Sequence, residues 1–171
     1  MTTNNKRSKP SKKRNGTYAI YTRKTTCYGM GDEFSNNDAQ RMACETIINS
    51  KHEFVVLAKR YDDTEVDVES LDRPALAKLF NDIKRKEVDT VVVHSIGILS
   101  TDFQVIDKIM KFFNEHNVRV ILAKEGIDSS TPNGRRFFQN VVDLINLENI
   151  AEEWKNRKTY EEEKEQDEWN I

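Results

Sequence analysis

Four short apolar runs alternate along the chain with stretches in which apolar residues recur every three or four positions. Tyr18, Ala19, Ile20 and Tyr21 form the first run, residues 54–58 (FVVLA) the second, 90–95 (TVVVHS) the third and 118–123 (VRVILA) the fourth. Each is too short for a globular helix and rich in branched or aromatic side chains, so each predicts a strand. The third is continuously apolar, as expected for a strand covered on both faces. Between the runs, residues 37–50 predict a helix with Asp38 near its start and Ala39, Met42, Ala43 and Ile47 on one face. Arg73-Pro74 opens a second helix, because proline suits a first turn, and Leu76, Leu79, Phe80 and Ile83 line its inner side. Ser100-Thr101-Asp102 offers the cap of a third, with Phe103, Ile106, Met110 and Phe113 facing inward. Residues 61–72 read as a polar, acidic loop and 125–134 as a turn-rich one. This order predicts an α/β fold: a parallel-type sheet of about four to five strands with helices on both faces.

The last helix departs from that economy. It begins at about Arg135 and carries Phe137, Val141, Leu144, Leu147, Ala151 and Trp154 at three-and-four spacing, widened by Phe138, Val142 and Ile145. Roughly five turns extend past the last strand, more than a small sheet needs for cover. The first half predicts core. The second half, through Trp154, predicts a partner helix from another subunit, so that Leu144, Leu147 and Trp154 would sit in a dimer or hetero-oligomer interface.

Composition adds boundaries. Of 171 residues, 33% are charged and 37% apolar, which suits one wet-surfaced domain with extensions. The net charge of −2 selects no partner, but its distribution is uneven. Lys6, Arg7, Lys9, Lys12, Lys13 and Arg14 make residues 1–16 a basic arm, read as disordered, that either lies on nucleic-acid phosphates or serves as a solubilising tail. Residues 17–158 form the globular unit with its long helix, and 159–171 an acidic tail that repels DNA. Cys27, Cys44 and three scattered histidines show no metal-ligand spacing, so no metal is expected. No apolar run reaches membrane-spanning length, and no membrane partner is expected; the setting predicted is reducing and cytoplasmic.

The chemistry concentrates just past the first strand, where Arg23, Lys24, Thr25 and Thr26 follow Tyr21. In an open α/β sheet the mouth beyond the carboxyl ends of the strands is where ligands bind. A cation beside a hydroxyl there suits holding a phosphate under attack by an oxygen, although a loop with a solvated Arg-Lys pair fits the same residues. His94, late in the third strand, reads as a core histidine.

With these elements in order, the chain resembles the catalytic domain of the serine recombinases, the family of resolvases, invertases and large serine integrases, over residues 18–158. YTRKTT resembles the strand-end motif of tyrosine, arginine and nucleophilic serine, with Thr25 at the serine position and Arg23 at the arginine. SNNDAQ resembles the start of the first helix, with Gln40 at the glutamine position. YDD followed by LDRPAL resembles the acidic loop and Arg-Pro turn, placing Asp63 and Arg73 on functional positions. VDTVVVHSIGILSTD and GIDSSTPNGRRFF resemble the third strand with its sequel and the turn into the dimer helix. The resemblance implies DNA strand exchange by transesterification: a hydroxyl attacks a phosphodiester and the covalent link conserves its energy, so no cofactor is required. It also implies several arginines converging on the nucleophile, because guanidinium groups match the charge on the equatorial oxygens of the transition state.

The departures cluster in that site. Thr25 adds a methyl that stiffens the nucleophile and crowds an in-line approach. Gly97, Ile98, Leu99, Ser100 and Thr101 stand where the family has Asp-Arg-Leu-Ser-Arg, so an aspartate and two arginines are gone. Glu65, Val66, Asp67 and Val68 replace a small glycine-serine turn, and Asn149 follows Glu148 where arginine is usual. Three readings follow: a catalytically impaired domain acting by dimerising or by pairing with a recombinase, an active recombinase domain using Thr25, and a DNA-binding accessory module using the basic arm. No helix-turn-helix or zinc-containing region is read after the long helix, which weighs against both DNA readings.

Overall fold

A computed structural model describes residues 16–24, 36–51, 55–57, 60–64 and 73–169. Strand β1 (Gly16–Arg23) leads to helix α1 (Asn37–Ser50), edge strands β2 (Val55–Leu57) and β3 (Tyr61–Asp63), and helix α2 (Pro74–Lys84). Strand β4 (Thr90–Val93), the single turn α3 (Ile96–Leu99), α4 (Phe103–Glu115), β5 (Arg119–Leu122), the short β6 (Ile127–Asp128) and α5 (Pro132–Trp169) complete the described chain. The sheet runs β2-β1-β4-β5-β6, with β3 also on β1, and is parallel apart from β6. The chain moves outward from β1 to β2 on one side and to β4 and β5 on the other. The carboxyl ends of β1 and β4 therefore flank a topological switch point.

Strand alternation divides the core. Tyr18, Ile20, Val92 and Ile121 face Cys44 and Ile48 of α1, while Ala19, Tyr21, Val91, Val93, Val120 and Leu122 face α2, α4 and the start of α5. Burial pushes the Cys44 thiol up to about 12, so it stays a protonated, unreactive core group.

Several expectations are corrected. Tyr61 to Asp63 is not loop but strand, paired Tyr21 to Tyr61 and Arg23 to Asp63. From Tyr18 to Tyr21 β1 advances three residues, while its partners advance four, from Leu57 to Tyr61. One extra residue thus separates β2 from β3 and shifts the pleat, which hides the period-two pattern. Residues 127–128 form β6, an edge pairing too short to show in a turn-rich segment. On α1 the buried row is Gln40, Cys44 and Ile48, and Met42 is 68% exposed. A polar residue at the centre of the inner face misled the apolar pattern. Phe103 lies on the first turn of α4 and is exposed; Val105 and Ile109 join Ile106, Met110 and Phe113 in the core. Phe80 is only half-buried, packed on Phe112 with ring centroids 4.3 Å apart.

The long helix starts earlier than Arg135, at Pro132, because Thr131 caps it: its Oγ1 accepts from the Gly134 amide at 3.0 Å and donates to the Asp128 carbonyl at 2.8 Å. At 38 residues it spans about 57 Å. Ile145 is its last buried side chain among the described residues, and every residue from 150 to 160 is exposed. Among the described residues no helix is long and apolar enough to cross a membrane.

Asp128 fixes where α5 leaves the sheet. Its carboxylate accepts from Arg119 Nε at 2.9 Å and Nη2 at 2.6 Å, from Lys51 Nζ at 2.7 Å, and from the Ser130 amide and hydroxyl at 3.0 and 2.7 Å. Burial pushes this carboxyl up, but the hydrogen bonds from Arg119, Lys51 and Ser130 outweigh it and hold it well below the usual carboxylate range. A depressed folded-state pKa adds stability above the unfolded carboxylate's value of about 3.9, lost as pH falls below that through the folded value. Asp128→Asn should cost about 3 kcal/mol at pH 7 and much less near pH 2, read from urea unfolding at the two values. Gly134 packs so tightly that a Cβ there would lie 1.8 Å from the Asp128 carbonyl oxygen. Gly134→Ala should therefore cost roughly 1–3 kcal/mol in the same assay.

Candidate active site at the strand ends

The sequence places a cation at the end of β1, and the fold buries it completely. Arg23 donates from Nε to the Ile98 carbonyl at 3.0 Å and from Nη2 to the Gly97 carbonyl at 2.9 Å. Arg73, equally buried, donates from Nη1 to the Leu99 carbonyl and, at 3.4 Å, to the Tyr21 hydroxyl. These three carbonyls belong to α3, a single turn whose C-terminal acceptors have no partner within the helix. Two guanidinium groups cap them across the switch point, where the partial negative charge of a helix end favours cations. Arg23 is thus neither a surface cation nor half of a solvated Arg-Lys pair.

Gln40 is also fully buried. Its Oε1 accepts from the Arg23 amide at 3.0 Å and its Nε2 donates to the Arg23 carbonyl at 2.8 Å. A primary amide presents a donor and an acceptor side by side, so it pairs with one strand residue as a neighbouring strand would. The pairing fixes the backbone one residue before Lys24.

Asp63 serves the second helix. Pro74 has no amide hydrogen, and the next two amides, of Ala75 and Leu76, donate to Asp63 Oδ1 at 2.8 Å and Oδ2 at 3.1 Å. Arg73 stands at the capping position without a side-chain cap of its own, because Asp63 supplies it from β3. The Tyr21 hydroxyl donates to Asp63 Oδ2 at 2.9 Å and so links the carboxylate to Arg73. Arg23, Gln40, Asp63 and Arg73 are brought together around Tyr21. Thr25 and residues 65–72 lie outside the described residues, as do Cys27 and residues 1–15 of the basic arm.

A second group at the same mouth was not legible beforehand. Asp62 accepts from Thr22 Oγ1 at 2.7 Å, Arg41 at 2.8 Å and Arg60 at 2.6 Å, and Arg60 also pairs with Asp38 at 2.9 Å. Burial raises the Asp62 carboxyl, but the hydrogen bonds from Thr22, Arg41 and Arg60 prevail and lower it. Two cations converge here, Arg41 from α1 and Arg60 from the approach to β3, beside the Thr22 hydroxyl at the end of β1. Only the one-residue offset of β3 reveals the arrangement. Tyr21 was legible as an apolar strand residue, and its hydroxyl role was not. His94 is buried as expected, and desolvation with Lys124 nearby lowers its pKa, keeping it neutral at pH 7.

At the positions where the family carries charge, Ile98 is fully buried in the apolar core shared by Tyr21, Leu76 and Leu99, and Thr101 is exposed at the approach to α4. A Cβ at Gly97 would approach nothing nearer than Ser95 Oγ at 3.9 Å, so a side chain fits there.

Gln40→Ala would remove both side-chain hydrogen bonds to the buried Arg23 backbone, at a cost of roughly 2–3 kcal/mol in urea unfolding. Gln40→Glu should be at least as damaging at neutral pH, since a carboxylate cannot donate to the Arg23 carbonyl. A solvated residue would give less than about 0.5 kcal/mol for either change.

Comparison with known proteins agrees with this architecture. The family model described as "Resolvase, N terminal domain" matches residues 18–168. Over 77 residues the chain is 31% identical to the Transposon Tn917 resolvase of Enterococcus faecalis, a stretch covering 45% of this chain and 41% of that protein. The chain therefore aligns with less than half of that relative. The crystal structure of the N-terminal catalytic domain of TP901-1 integrase superposes with a TM-score of 0.67 at 26% identity, over 80% of this chain and 98% of that one. A resolvase family site-specific recombinase from Streptococcus pneumoniae shares the fold, with a TM-score of 0.58 at 20% identity over 80% and 91% of the two chains. With the family model spanning nearly all of the sheet and the long helix, the chain belongs to the resolvase N-terminal domain family, the serine recombinases.

Proposed function

We propose that this domain is a serine-recombinase scaffold whose capacity for DNA strand cleavage is strongly impaired, and which acts in site-specific recombination through association of α5. The observation that carries this reading is at Ile98. The family's arginine position is filled by a side chain wholly inside the apolar core, and the carbonyls on either side of it engage the two arginines that remain. Each preorganised charge-stabilising donor removed from a transition state costs ~2.7–4 kcal/mol, and two are absent here. Arg23 and Arg73 support the same reading, since both are fixed on backbone acceptors and covered.

The exposed part of α5 supports association. Leu144, Leu147 and Trp154 lie along one row, with Leu147 62% and Trp154 71% exposed. A second helix from another copy or from a recombinase would cover this row. DNA remains the family's substrate, and contact through its phosphate backbone belongs to the reading of the assembled complex rather than of this chain alone.

A suicide DNA substrate with a nick beside the scissile phosphate tests the chemistry. The wild-type chain should give no covalent adduct, whereas a phosphothreonyl adduct lost in Thr25→Ala would overturn the reading. Thr25→Ser alone should stay inactive, because the missing charge is not restored by a better nucleophile. For association, Leu147→Glu and Trp154→Glu should each weaken self-association or recombinase binding by at least tenfold, as a charge forced into an apolar seam must be desolvated. Sedimentation equilibrium, alone and with an added recombinase, measures this.

A further inference from the structure

Helices α4 and α5 run side by side in opposite directions. Near the start of α4 they touch, where the Gln104 side-chain amide donates to Asn149 of α5. At the other end, where α4 stops and α5 begins, the two helices and β5 line an open cavity of about 480 Å³. That lies within the range of about 300–1,000 Å³ in which proteins take up small organic molecules. We propose that this cavity binds a small organic anion, with an apolar body between the helices and one carboxylate at Arg135.

The lining is divided between an apolar interior and a polar rim. Val118, just before β5, and Val120 within it are both buried, as is Met110 of α4, and Phe138 and Val142 of α5 are half-buried. Arg135, Phe138 and Val142 follow at three and four, and Met110 and Asn114 at four, so each helix turns a single row toward the cavity. The exposed residues Asn114, Asn117, Ser130, Arg135 and Gln139 supply the rim.

The charge is one-sided. Among the described residues that line the cavity, two are arginines and none is acidic. Arg119 donates to both oxygens of Asp128 and, from Nη1 at 3.0 Å, to the Tyr18 hydroxyl. Arg135 is thus the cation at the rim. Its Nη1 donates to the Ser130 carbonyl at 2.7 Å, a bond that uses one of the N–H donors of the guanidinium and fixes its position. The helix ends do not oppose it. The Phe112, Phe113 and Asn114 carbonyls at the end of α4 already accept from the amides of His116, Val118 and Asn117. The first turn of α5 favours negative charge. A bare inorganic anion would leave the apolar interior uncovered and a hydrocarbon would leave the arginine unmatched, whereas an amphipathic anion meets both. The cavity opens at the amino end of β5, away from Arg23 and Arg73 at the carboxyl ends of β1 and β4, so this site stands apart from any strand-cleavage chemistry.

Calorimetric titration and amide NMR shifts of the full chain test this, with naphthoate as the probe and naphthylmethanol as its neutral counterpart. Naphthoate should bind with a Kd of about 1 mM or tighter. It should shift the amides of Val118, Val120, Gln139 and Val142. The alcohol should bind about fivefold more weakly, and Arg135→Gln should remove that difference. Val142→Trp fills the cavity from its wall and should abolish binding. If that chain loses its dispersed amide spectrum, Gln139→Trp, exposed at the rim, gives the same test. Equal affinity of the wild type for acid and alcohol, or a preference that survives Arg135→Gln, overturns the anion at Arg135. Shifts confined to other surfaces, undiminished affinity in the tryptophan variant, or no binding at about 10 mM naphthoate overturns the site itself.

Discussion

Three carbonyls at the end of one short turn organise this end of the molecule. Gly97, Ile98 and Leu99 point their oxygens at the switch point, and the guanidinium groups of Arg23 and Arg73 bind them from β1 and from the start of α2. A buried arginine without such partners would carry a large desolvation penalty. A helix end without donors would leave buried acceptors unmet. Each feature removes the other's cost, so β1, α2 and the β4–α3 connection are locked into one arrangement. Asp63 and Gln40 extend the lock, one capping α2 and the other holding the backbone of Arg23.

The opposite corner has its own fixed point. Asp128 gathers Arg119, Lys51 and Ser130 and offers its carbonyl to the residues that start α5. Close packing of Gly134 on that carbonyl leaves the helix no other departure angle. The exposed row of α5 is thereby presented at a defined direction from the sheet. The two fixed points lie at different corners, one at the carboxyl ends of β1 and β4 and one at the start of α5.

Much of this was legible in the sequence, and the failures have physical causes. Strands β1, β4 and β5 are short apolar runs with nothing to obscure them, and α2, α4 and α5 carry clean three-and-four spacing. What escaped notice was polar residues doing apolar duty. Gln40 occupies the middle of the buried face of α1, so Met42 was assigned inward in its place. Tyr61 and Asp63 are buried in a strand whose register is displaced by one residue, and an acidic tripeptide gives no periodic signal. At the site, the residue types were legible through the resemblance, but their contacts were not. That Arg23 and Arg73 cap α3 depends on carbonyls, which every residue has and no sequence reports.

This bears on how the retained residues should be weighed. Arg23, Gln40, Asp63 and Arg73 look like remnants of a catalytic set, and their presence tempts a reading of preserved activity. Yet each also satisfies a buried backbone group, so removing any of them would leave unmet donors or acceptors whatever the chemistry. The family's charged positions that have been replaced differ in kind. An aliphatic side chain at Ile98 joins the core, Thr101 faces solvent, and Gly97 leaves room for a side chain it does not have. None of these three positions needs a charged side chain for the fold to close. The four retained residues are thus accounted for by the backbone groups they satisfy, and their presence carries no argument for cleavage.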